Sequence, residues 1–102
     1  MTLAQVREAV VRCCEDGYRL ADQECGLSLI GEEDVSEAAD GVFLARFRLD
    51  PSRRMALEFM VDHACSDALF GCERNLFVER RMEYGIPYLE CVWVFRADRM
   101  VR

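Results

Sequence analysis

The chain has 102 residues, 52% hydrophobic and 31% charged, with six glycines and two prolines, a balance that excludes a disordered or low-complexity polymer and fits one globular domain, 1–102. Thirteen basic residues, all arginine, against nineteen acids leave a net charge of −6, which opposes the basic stripe needed to hold phosphates and so argues for a protein partner and no nucleic acid. No apolar run nears the roughly 20 residues of a membrane span and no basic, cleavable leader opens the chain, so a cytoplasmic protein without a membrane role is expected.

Thr2 followed by Gln5 has the form of a capping box. Leu3, Val6, Val10 and Cys13 then recur at helical spacing, with Glu8 and Arg12 paired on the polar side. The spacing predicts an amphipathic helix from 3 to 15, closed by Gly17. From Tyr18 to Ile30 the pattern weakens: "YRLADQE" suits either a short strand or a further helical turn, and "GLSLIG" a strand.

Residues 15–40 hold nine acids against Arg19 alone. Their densest part, "GEEDVSEAADG", is nearly free of large apolar groups and is expected to be solvated, with at most one helical turn. Glu32, Glu33, Asp34, Glu37 and Asp40 are candidate partner-binding residues, because an acidic surface speeds and directs docking onto a basic groove.

"VFLARFRL", 42–49, alternates cleanly, with Phe43, Ala45, Phe47 and Leu49 on one face and Arg46 and Arg48 on the other. It predicts a half-buried strand. "LFVERRMEY", 76–84, sets Leu76, Val78, Met82 and Tyr84 on one side, and "YLECVWVF", 88–95, is apolar on both faces. Joined by "GIP", they predict an antiparallel hairpin whose second strand is central in the sheet, with Arg46 and Arg48 able to meet Glu79, Glu83 or Glu90 across strands. Arg80 falls on the core side of this alternation. Either a bulge at the Glu-Arg-Arg run turns it outward, the preferred reading, or it meets a partner's carboxylate.

Residues 50–71 admit two readings. As a strand, "RMALEFMVD" shows Met55, Leu57, Phe59 and Val61 on one face; as a helix, it has Asp50 as N-cap, Pro51 in the first position and Gly71 just past the end. Arg54, Glu58, Asp62 and Ser66 form one polar strip at steps of four, which favours a long central helix over 51–70. Its remaining arc is wider than one sheet face requires. The row Ala56, Met60, Ala64 and Ala68 is therefore the expected contact with a second copy, and a homodimer suits so small a core.

The only histidine, His63, sits one turn from Asp67 in that arc. The pair reads either as an imidazole oriented for acid/base work or, preferentially, as a buried polar pair that satisfies itself. Cys65 points elsewhere, no Cys-x-x-Cys occurs and the glycines are scattered. No catalytic set, metal or cofactor is therefore expected, and the six cysteines read as reduced, mostly buried thiols.

The expected architecture is α+β: an antiparallel sheet of four to five strands with an N-terminal helix and the long central helix packed on it. This order of elements, with small size and acidity, resembles the class I type III secretion chaperones. The resemblance implies a dimer that holds extended client segments, and hence a non-catalytic adaptor. A small acidic inhibitor of phage or immunity type, occupying a basic groove, is the first alternative. The stretch "MVDHACSDALFGCERN" resembles the small-residue-rich part of the central helix in hotdog-fold acyl-thioesterases, which implies an acyl-thioester enzyme as the second; "SRRMALEF" stands where that family has His-Gly-Gly.

Overall fold

The computed structural model describes residues 1–23, 34–62, 69 and 71–100. Helix α1 runs Leu3–Leu20. Both arms of its capping box form, Thr2 Oγ1 accepting from the Gln5 N–H at 3.2 Å and Gln5 Oε1 accepting from the Thr2 N–H at 2.8 Å. The helix passes through Gly17 instead of ending there, and closes at Ala21 with Asp22 in the left-handed region (φ 55). The reason lies outside the local sequence. Gly17 is where α1 meets α2, Arg54–Asp62: a Cβ at Gly17 would sit 2.9 Å from the Ala56 carbonyl oxygen and overlap the Met60 side chain. Glycine is kept in the helix because the two backbones come close.

The sheet has four antiparallel strands among the described residues: β1 (Val35–Ala39), β2 (Val42–Leu49), β3 (Cys72–Glu83) and β4 (Ile86–Met100), in the order β1-β2-β4-β3. The acidic segment thus contributes a strand that was not expected there, although four of its five residues are exposed to solvent as expected. Val35 explains it: this side chain is buried, lies opposite Ala45 in β2, and leaves the remaining β1 residues exposed on the sheet edge. Gly41 (φ 76) supplies the turn into β2.

Phe43, Ala45, Phe47 and Leu49 of β2 point inward as expected, opposite Phe95, Trp93, Cys91 and Leu89 of β4. The β3–β4 hairpin also forms. Its turn is Tyr84–Gly85, both at positive φ (51 and 76) as a type I′ turn requires. The strands extend further than the sequence pattern suggested, β3 starting at Cys72 and β4 running past Arg96 to Met100. The ladder is continuous through Arg80, and its irregularity lies at Cys72/Glu73, so the bulge expected at the Glu-Arg-Arg run is absent.

Residues 54–62 are helix, not strand. Asp50 caps the preceding 3-10 turn, Pro51–Arg53, its Oδ1 accepting from the Ser52 N–H at 2.9 Å. The described α2 is nine residues long, and Leu69 already belongs to the turn leading into β3. The central helix is accordingly shorter than the 51–70 span expected. Together α1 and α2 cover one face of the sheet, and the core joins Val6, Val10, Cys13 and Tyr18 to Met60, Phe47, Trp93 and Phe95. No helix among the described residues is long and apolar enough to cross a membrane.

Candidate protein-binding surface

The helices pack over β1, β2 and β4, whereas β3 has β4 as its one extensive neighbour among the described elements. The described elements leave two surfaces open: the sheet face turned away from the helices, and β3 with its hairpin. On the open face the register sets Arg46, Val92 and Phe77 in one row across three strands and Arg48, Glu90 and Glu79 in the next. Arg46, Phe77, Glu79, Arg81, Glu90 and Val92 line a shallow depression of about 430 Å³. Phe77 stands at its rim with 61% of its surface exposed.

Charges frame this apolar centre. Arg81 bonds Glu79 at 2.9 Å and approaches Glu90 at 3.5 Å. The hydrogen bond it donates to Glu79, then the negative charges of Glu79 and Glu90, hold the guanidinium more firmly protonated than usual. Arg48 reaches Glu83 at 2.8 Å, realising one of the cross-strand pairs expected, and lies 4.7 Å from the centre of the Tyr88 ring. Exposed pairs of this kind add little stability. What they fix is where each charge points, around a floor of valine and phenylalanine.

The sequence-predicted residues do not form one surface. Glu37, on β1, and Asp40, in the following turn, are exposed together beside a depression of about 260 Å³, and Asp34 precedes β1. Arg80 lies on β3 at the opposite edge, three strand spacings or about 14 Å away. It shares the helix-side face with Leu76 and Val78, and it is exposed; among the described residues no helix reaches over that end of β3. Ala56 and Met60, expected as dimer contacts, are fully buried within the subunit, their side of α2 occupied by α1 at Gly17. Glu32, Glu33, His63, Ala64, Asp67 and Ala68 lie outside the described residues.

Cys13, Cys14, Cys72 and Cys91 are buried and outside any disulfide. Burial pushes the Cys91 thiol up to about 12, with the Glu90 charge adding to the shift, and burial raises Cys72 against the opposing pull of Arg74. Neutral thiols of this kind are packing groups rather than nucleophiles. Among the described residues no three His, Cys, Asp or Glu side chains converge as a metal site would need.

Sequence reasoning passed over Phe77, and the signal was available. Along β3 the open-face positions read Asn75, Phe77, Glu79, Arg81, so one aromatic interrupts a polar face, opposite the valines that make β4 apolar on both sides. Tyr84, taken as the last residue of that strand's apolar side, is instead in the turn and 96% exposed. No protein-family model, curated protein or solved structure matches this chain.

Proposed function

We propose that this chain is a non-catalytic protein-binding module, a small dimeric adaptor or chaperone-like protein acting in the cytoplasm. The observation that carries the reading is the concentration of uncovered apolar side chains on one hairpin: Phe77, Val78, Met82, Tyr84 and Ile86 are all at least 41% exposed. Scattered exposed apolar residues are ordinary, but here they gather on the two faces and the turn of a single hairpin among charged neighbours, the kind of composition that protein contact surfaces present. Aromatic and arginine side chains, here Phe77 beside Arg46 and Arg81, are the types that dominate binding energy at such surfaces. Buried cysteines that form no disulfide among the described residues suit a reducing compartment.

The test is selection of peptides from a random library on the intact protein, followed by affinity measurement against Phe77→Asp. Peptides that bind the wild type and lose about tenfold or more in affinity with the variant, while its circular dichroism is unchanged, support the reading. Failure to enrich any peptide, or binding indifferent to Phe77, overturns it.

A further inference from the structure

We infer that β3 is the strand through which two copies of this chain join, pairing antiparallel about a two-fold axis at Arg80. This deepens the dimeric part of the function proposed above and rests on it. The starting point is the free edge itself. β3 is twelve residues long, regular from Glu73 to Glu83, and bonded on one side only among the described strands. An edge of that length is a template for another strand unless it is blunted by proline, a bulge, a covering element or unmatched charge; the Glu73–Glu83 stretch has no proline or bulge and no covering element among the described residues, so the outcome turns on whether its charges can be matched.

The turn determines which backbone groups are available. A type I′ turn closes with the Glu83 carbonyl accepting from the Ile86 N–H, so odd-numbered residues of β3 face β4 and even-numbered ones face outward. Val78, Arg80 and Met82 therefore direct their N–H and C=O groups to the open side.

Side chains then rank the register centred on Arg80 above its two immediate neighbours. In a symmetric antiparallel pair, residues directly opposite share a face, so each register is defined by the residue on the axis. With Arg80 there, Glu79 meets Arg81 of the second copy twice, and Val78 meets Met82 twice. The Glu79–Arg81 pairs occupy non-hydrogen-bonded positions, where side chains come closest. Val78 (41% exposed) and Met82 (68%) would cover each other on the side the described helices leave bare. Moving the axis to Glu79 sets Glu79 against itself and Val78 against Arg80; moving it to Arg81 opposes Glu79 to Glu83 twice. Neither neighbouring register matches opposite charges. The like pair of Arg80 side chains at the axis and Phe77 opposite Glu83, twice, are its mismatches, and all of these side chains are exposed.

Charge swaps test this. Sedimentation of the wild type up to about 100 µM, the range for a small contact, is expected to show a dimer. Glu79→Arg alone and Arg81→Glu alone each set like charges opposite each other and should weaken it by about tenfold or more. An equimolar mixture of the two variants restores both attractive pairs and should dimerise again as a heterodimer. Arg80→Pro removes an outward N–H while leaving the bonds to β4 in place, and should yield a folded monomer by circular dichroism. A wild-type dimer that ignores all of these changes sinks the β3 assignment but leaves the dimeric reading standing. A wild type that remains monomeric sinks both, whereas peptide binding at Phe77 is scored separately.

Discussion

Strands β2 and β3 flank β4 from opposite sides, each in continuous antiparallel register with it and each alternating in the same sense. Their inward residues nevertheless end in different surroundings. Phe43, Ala45, Phe47 and Leu49 are all buried, whereas along β3 the same face opens from half-buried Leu76 to Val78 and then to Met82 at 68% exposure. Both strands carry the period that marks a core face, but among the described elements only β2 has a helix over it. Alternation tells which side of a strand is apolar, and the reach of other elements decides whether that side is covered.

The comparison breaks most sharply at Phe47. Its ring is 3% exposed and lies 6.5 Å from Trp93, so Phe47→Ala should lower the unfolding free energy by about 3–5 kcal/mol in urea titration. A loss below about 1 kcal/mol would mean that the β2 flank is no better packed than β3. Next comes the helix crossing that provides the cover. Gly17→Ala places a methyl against the α2 backbone and should cost about 1–3 kcal/mol, despite the higher helix propensity of alanine.

A smaller effect, read through pH, concerns the central strand. Cys91 has its thiol raised from the ordinary 9.0 to about 12 in the folded chain. The neutral form is thus favoured on folding, so its stabilisation is complete below pH 9 and is lost as pH climbs from 9 towards 12. Comparing the wild type with Cys91→Ala by denaturant titration across this window should show the wild type declining more steeply, by at most about 1.4 kcal/mol per pH unit. Parallel curves would place Cys91 in contact with water. Smallest of all, Met82→Ser should change the unfolding free energy of dilute protein by about 0.5 kcal/mol or less, as exposed sites do; a larger loss would show that β3 has cover after all.

Features governed by short-range chemistry were legible in the sequence: the Thr2–Gln5 box, the β2 alternation, the hairpin, and helix rather than strand at 54–62. Features decided by a remote neighbour were not. Gly17 has the composition of a helix stop, yet Met60 and the Ala56 carbonyl make it a crossing point. The over-wide apolar arc of α2 was assigned to a second copy, while at Ala56 and Met60 the company is α1. β1 was invisible because a single buried side chain, Val35, secures an otherwise acidic edge. Of the candidate surface, Arg80 was singled out for its odd position, but it is exposed where the described helices stop short of it.

The two rims of the sheet also differ in length and regularity. β1 offers five residues interrupted by a shift between Glu37 and Ala39, β3 twelve. Among the described strands only one rim is long and regular, so once it is taken a third copy would have only the short, irregular β1 edge to meet. Assembly by this route closes on itself at a pair, and the growth of filaments, the usual hazard of an open β-ribbon, is denied a second long rim.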